Sequence, residues 1–165
     1  MLKPPAKSPP CPLIYLVSAC LAGRACRYDG TACAVPELKR LVEAGLALAV
    51  CPEELGGLPT PRPPAEICRG RAIDCNGRDV TAQFEQGAEV VLTLARSHNI
   101  RRAILKERSP SCGCGLIYDG TFSRRLTAGD GVTAAKLRLS GIIVRGESDY
   151  AVAPNFFSSE NFTDI

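Results

Sequence analysis

The chain has no tryptophan, one methionine and one histidine, and only 5% of its 165 residues are aromatic. It has no apolar run approaching the roughly 20 residues needed to cross a bilayer, so a membrane-spanning helix is not expected. There is no lysine–serine phosphate loop and no G-x-G-x-x-G after a strand, which leaves nucleotide-cofactor readings without support. No two cysteines stand as C-x-x-C, the spacing a structural zinc site favours. Charge of one sign is also scarce. The net charge is +3, and the basic residues are scattered apart from Arg101-Arg102 and Arg124-Arg125. That is no stripe for a phosphate backbone, and stable nucleic-acid binding is not expected. His98, the sole histidine, stands at a predicted helix end and reads as a surface residue facing the helix dipole rather than a ligand.

Cysteine, by contrast, is abundant, with nine in the chain. An odd count in a chain that reads as cytoplasmic argues against a pure disulfide framework and towards metal binding, catalysis or incidental small hydrophobes. The first ten residues carry two lysines and four prolines without a secretory h-region, so residues 1–12 read as a short disordered leader. Residues 13–165 then form one domain, long enough to bury roughly 70% of its unfolded surface.

Within that domain, residues 13–19 (LIYLVSA) form an apolar β-rich run that stops at Cys20. Residues 36–45 carry proline at a first helical position, apolar residues at helical spacing and a closing glycine. Residues 46–50 (LALAV) form a second strand, which stops at Cys51. Residues 55–71 hold four prolines and a Gly-Gly pair, predicting a long functional loop. A helix opens at Asp79-Val80-Thr81 and runs to His98-Asn99, with Glu66, Asp79 and Thr81 expected to cap it. Residues 102–106 return as a strand leading into Ser109-Pro110-Ser111-Cys112-Gly113-Cys114. After a turn at 118–121, residues 132–139 form a helix and 142–144 a last strand.

This order predicts an α/β fold: a single domain with a mostly parallel, Rossmann-like sheet flanked by helices. Parallel strands end along one edge, where ligands bind. Cys20, Cys51 and Cys112 each follow a different strand and are expected to converge there. Three convergent thiolates suit zinc, copper(I) or an iron–sulfur cluster. Free cysteines also serve as small buried hydrophobes. That reading is preferred for Cys11, Cys33, Cys68 and Cys75, while Cys26 and Cys114 lie close enough to reach the site. Glu53 and Ser109 project into the same crevice, one as a general acid or base and the other to hold water or substrate; turn capping is the alternative for each.

The segments VSACLAGRACRYDG (17–30), CPEELGGLPTPRPPAEI (51–67), GRDVTAQFEQGAE (77–89), AILKERSPSCG (103–113), IYDGTF (117–122) and GDGVTAAKLRLSGI (129–142) resemble the thiouracil desulfidase family. The likeness covers nearly the whole chain after residue 12. It implies a 4Fe-4S cluster held by three cysteines, which fall on Cys20, Cys51 and Cys112, with one iron free of protein ligands. It also implies a small thiobase substrate such as 2-thiouracil, converted to the oxo base and sulfide without net redox change. The family's acid/base glutamate and partner serine fall on Glu53 and Ser109. The chain departs from the family pattern at Ala22 and in its extra cysteines 33, 68, 75 and 114. The rival expectation is a non-catalytic metal-binding or thiol redox-sensing module built on the same thiols.

Overall fold

The computed structural model describes residues 13–152. The expected leader, residues 1–12, lies outside the described residues, as does most of the C-terminal tail. In chain order the first elements are β1 (Tyr15–Ser18), α1 (Pro36–Glu43), β2 (Ala47–Val50), α2 (Pro52–Leu55), β3 (Ala65–Cys68) and β4 (Arg71–Asp74). They are followed by α3 (Thr81–Ser97), β5 (Arg102–Leu105), β6 (Leu116–Tyr118), β7 (Leu126–Ala128), α4 (Val132–Leu139), β8 (Ile143–Gly146) and α5 (Glu147–Val152).

Strands β2, β1, β5 and β8 lie side by side in that order, and every neighbouring pair is parallel. Val17 of β1 sits in register between Ala49 of β2 and Ile104 of β5. Side chains of a strand alternate between faces, and the two cores follow that period. Leu16, Ala103, Leu105 and Val144 pack with Val91, Leu92 and Ala95 of α3 and with Ala134 and Leu137 of α4. Tyr15, Val17 and Ile104 pack with Leu38 of α1 on the other face. Leu16, Val17 and Leu105 are completely buried, each contributing about 2 kcal/mol relative to an exposed side chain. The expected parallel α/β sheet with flanking helices is therefore the fold of the protein, and the strand C-termini share one edge. Among the described residues no helix is long and apolar enough to cross a membrane.

The predicted loop over 55–71 is only partly irregular. Its start completes α2, and its end forms the antiparallel hairpin β3–β4. Arg69 and Gly70 both take positive φ, 51° and 78°, as a two-residue hairpin turn requires. Four-residue strands with charged Glu66 and Arg71 carry too short an apolar alternation to stand out beside four prolines. The hairpin covers a small third core of Ala72, Val80 and Phe84. A second hairpin, β6–β7, flanks the predicted turn at 118–121.

Glu66 does not cap α3. It sits on β3 and accepts the backbone N–H groups of Gly120 (3.0 Å) and Phe122 (2.9 Å), tying the two hairpins together. Asp79 and Thr81 do stand at the helix start: Asp79 Oδ1 accepts the Thr81 N–H at 2.9 Å, and the Thr81 hydroxyl accepts the Ala72 N–H at 3.0 Å.

Candidate metal centre

Three strand ends bring thiols towards the C-terminal edge. After β1 the chain turns sharply: the Ser18 carbonyl accepts the Leu21 N–H at 2.9 Å, and the Cys20 carbonyl accepts the Cys33 N–H at 3.0 Å. Cys20 is thereby fixed inside a folded loop and is 7% exposed. After β2, Cys51 is the N-cap of α2 and Pro52 occupies the first helical position, where its missing N–H costs nothing. The Cys51 carbonyl accepts the Leu55 N–H at 3.0 Å, closing the one-turn helix that carries Glu53 and Glu54.

The placement of α2 depends on two glycines. A Cβ at Gly56 would stand 1.9 Å from the Gln83 carbonyl oxygen, and one at Gly87 would stand 1.9 Å from the Pro52 carbonyl oxygen. Backbone meets backbone here, as only glycine permits.

After β5, Ser109 Oγ accepts the N–H groups of Ser111 and Cys112, each at 3.1 Å. Both lone pairs are used, and the hydroxyl hydrogen is left to donate. The buried Ser111 hydroxyl meets Thr133 Oγ1 at 2.9 Å, anchoring this turn to the start of α4. Ser18 Oγ accepts the Lys106 N–H at 2.9 Å and ties the ends of β1 and β5.

The thiols fall into a chain of neighbours. Cys26, expected only as a residue within reach, lies beside Cys51, their sulfurs within 4.8 Å of each other, and its thiol is influenced by both Cys20 and Cys51. The Cys51 thiol also approaches the Cys26 carbonyl at 3.7 Å. Cys112 packs on the α3–α4 side of the sheet, while Cys20, Cys26 and Cys51 pack on the α1 side. The Cys112 thiol is nevertheless influenced by Ser18 and by the charges of Glu53 and Cys51. Cys114 is half-buried, and the charges that act on it most are those of Arg138, Asp149, Asp130 and Glu107. Cys33 accepts a hydrogen bond from Arg27 Nη1 at 3.4 Å, and Cys75 is exposed in the turn before α3.

Burial and thiol–thiol contact disfavour charge on these sulfurs. The influence of Cys20 is the main cause that pushes Cys26 up to about 11. Burial pushes Cys112 up to about 12, and the contact with Cys26 raises Cys51 well above the ordinary thiol range. Converging thiolates in such a setting are stable only around a cation that replaces their protons. All eight described cysteines are free. This soft, buried donor set fits an iron–sulfur cluster or a thiophilic ion.

Two donor groupings are present. Among the described residues, Cys26, Cys51 and Glu54 form a group whose ligand atoms all lie within 4.8 Å of one another, a spacing suited to a single ion. The expected Cys20–Cys51–Cys112 set does not meet that spacing. Glu54 Oε2 is buried without a well-formed hydrogen bond, although Arg24 Nη2 lies 2.5 Å from it as an ion pair.

Glu53 stands beside this rim with its side chain 15% exposed and bonds to Arg62 Nε through Oε2 at 2.6 Å. A cavity of about 200 Å³ opens on the other side of Glu53, lined by Arg62, Leu58, Asn76, Arg78 and Phe84 among others, and by none of the cysteines. Cys26 was expected within reach of the site, whereas Arg62 was not expected there. The one available signal for Arg62 was that it is the only cation between residues 55 and 68.

The fold and this rim have close counterparts. The solved structure of the 4Fe-4S-dependent thiouracil desulfidase TudS superposes with a TM-score of 0.80 at 47% identity, covering 87% of this chain and 99% of that one. Uncharacterized protein YbbK of Bacillus subtilis (strain 168) is 44% identical over 146 residues, 82% of this chain and 97% of its own length. The 2-thiouracil desulfurase family matches residues 15–149, which takes in every thiol of the rim and both hairpins. The chain belongs to the 2-thiouracil desulfurase family.

Proposed function

We propose that the protein is an iron–sulfur-dependent desulfidase of thiolated nucleobases such as 2-thiouracil, releasing the oxo base and sulfide. Cys20, Cys51 and Cys112 would hold a 4Fe-4S cluster, leaving one iron without a protein ligand. The observation that supports this reading is that buried cysteines follow β1, β2 and β5 at the sheet edge where Glu53 also stands, in a chain 47% identical to a 4Fe-4S-dependent thiouracil desulfidase.

When bound, the cluster supplies Lewis acidity that polarises the carbon–sulfur bond and stabilises departing sulfide. The protein residues supply the rest. One water is consumed per sulfur released: its oxygen becomes the new carbonyl oxygen, its two protons leave with sulfide, and no electron is exchanged with an outside partner. Glu53 takes a proton from that water and returns it to the leaving sulfur. Ser109 fixes the Cys112 turn through its oxygen and has its hydroxyl hydrogen left to donate to the substrate.

The test is anaerobic reconstitution with iron and sulfide, followed by the absorbance of added 2-thiouracil. Its loss, with uracil and sulfide formed in equal amounts, is expected. A brown, iron-loaded protein that leaves every thiobase intact would overturn the catalytic reading.

The Cys26–Cys51–Glu54 grouping favours a second reading, a non-catalytic site for one thiophilic ion such as zinc. The two readings separate at Cys26: C26A abolishes a single-ion site and leaves the iron content of a cluster on Cys20, Cys51 and Cys112 intact.

A further inference from the structure

Apart from the cysteines, one charged side chain is deeply buried against the same rim. Arg62 lies in the proline-rich strap between α2 and β3, and its side chain is 5% exposed. Its Nε donates to Glu53 Oε2 at 2.6 Å. Its Nη1 donates to the Pro59 carbonyl at 3.2 Å and to Thr60 Oγ1 at 3.0 Å. Its Nη2 donates to the Cys26 carbonyl at 3.0 Å, and its backbone N–H donates to the Tyr28 carbonyl at 2.8 Å.

One side chain thus joins three pieces of chain: the α2 turn bearing Glu53, the loop after β1 bearing Cys26, and its own strap. The Cys26 carbonyl it holds is also the one approached by the Cys51 thiol. A buried guanidinium is tolerated only where its donors are matched, and its planar fork fixes the direction of each bond. A lysine offers a single point charge and cannot reach the carboxylate and the carbonyl together in this geometry. The guanidinium engages only Oε2 of Glu53; among the described residues Oε1 makes no hydrogen bond. One oxygen is anchored, and the other is left for chemistry.

The geometry points to Arg62 as a positioning residue, which pins Glu53 against the Cys26–Cys51 wall so that its free oxygen keeps one orientation towards the reacting sulfur. This rests on the proposed acid/base role of Glu53. Arg62 touches neither substrate nor metal in this account, so its effect must pass through Glu53.

The experiment compares wild type, R62K, R62Q, E53Q and E53Q/R62Q after anaerobic reconstitution, measuring iron content and kcat and KM for 2-thiouracil. R62Q is expected to keep the wild-type iron load and KM while kcat falls about 10–100-fold. R62K should recover part of that loss. In the E53Q background, removal of Arg62 should leave kcat unchanged. In the apoprotein, a double-mutant cycle on unfolding free energy should show the two residues coupled rather than additive. If R62Q alone does not fold, R62K and the comparison of E53Q with E53Q/R62Q still decide the matter.

Wild-type kcat in R62Q or R62K, a further fall from E53Q to E53Q/R62Q, or iron lost with Arg62 would each overturn the inference. An E53Q enzyme that turns over like wild type would overturn the acid/base role of Glu53 and the inference with it; a slow E53Q beside an unaffected R62Q overturns the inference alone.

Discussion

At the scale of single residues, the thiols differ in what surrounds them more than in what they are. Cys112 and Cys114 are separated by one glycine, yet Cys112 is buried, with Glu53 and Cys51 among the charges that act on it most, while Cys114 is only half-buried and most affected by Arg138, Asp149, Asp130 and Glu107. C20A, C51A and C112A are therefore each expected to lose the cluster, and C114A to keep both iron and turnover; iron and sulfide analysis of the four variants, purified anaerobically, checks this. Full iron in C112A would move the third ligand elsewhere. E53Q is a different kind of change, because Glu53 stands beside the thiols without being one of the expected ligands. Its iron content should match wild type while kcat falls about 10²–10⁴-fold, the range for a lost general acid–base group. An E53Q protein that fails to take up iron would make Glu53 a structural member of the site.

At the scale of elements, the position of α2 against α3 decides where Cys51 and Glu53 lie. G87A would place a methyl group 1.9 Å from the Pro52 carbonyl oxygen, and neither backbone has a flexible tip to give way. The expected cost is about 1–3 kcal/mol, a fall in Tm of roughly 2–12 °C for a chain of this size, accompanied by poorer iron loading because Cys51 precedes Pro52. A G87A protein with wild-type Tm and iron would show that α2 shifts freely and positions nothing.

The start of α3 carries a separate pH signature. Its main cause is the Thr81 hydroxyl donating to Asp79; the Thr81 N–H and the Arg71 ion pair add to it and bring Asp79 down to about 2. A carboxyl with a lowered folded-state pKa adds stability above its unfolded value of about 3.9, and that stability is lost as pH falls towards 2. Wild type should thus lose more stability than D79N between pH 4 and 2 in chemical unfolding. Parallel curves for the two proteins would remove Asp79 from the helix start. The sequence showed this helix start because Asp79-Val80-Thr81 sits directly before an apolar helical repeat, although the N-cap is Val80 and no side chain caps the helix. It did not show the role of Glu66, whose partners Gly120 and Phe122 lie over fifty residues away and whose bonds arise only once two hairpins meet.

At the scale of the whole molecule, the main sheet was legible because β1 and β5 are almost wholly buried and, with β2, read as short apolar runs, with a cysteine closely following β1 and β2. The hairpins were not, since short strands with polar residues on an exposed side carry almost no period. Arg62 escaped notice for a related reason: it is one residue in a loop, and its importance comes from a contact across 36 positions, with the Cys26 carbonyl.

The same division bears on what the metal contributes. The two large cores consist of strand side chains packed on α3 and α4 on one side and on α1 on the other; Cys112 belongs to the first and Cys20, Cys26 and Cys51 to the second, but most of their members are aliphatic. Removing the occupant should then cost only the linkage free energy, about 2.7 kcal/mol if it is bound at a hundred times its Kd, or roughly 5–11 °C in Tm. Anaerobic chelation of the reconstituted protein, followed by far-ultraviolet circular dichroism, should show a lower melting point with helix and strand signals retained at 25 °C. Collapse of those signals on chelation, as in zinc fingers whose metal is their core, would mean that the rim holds the sheet together rather than resting upon it.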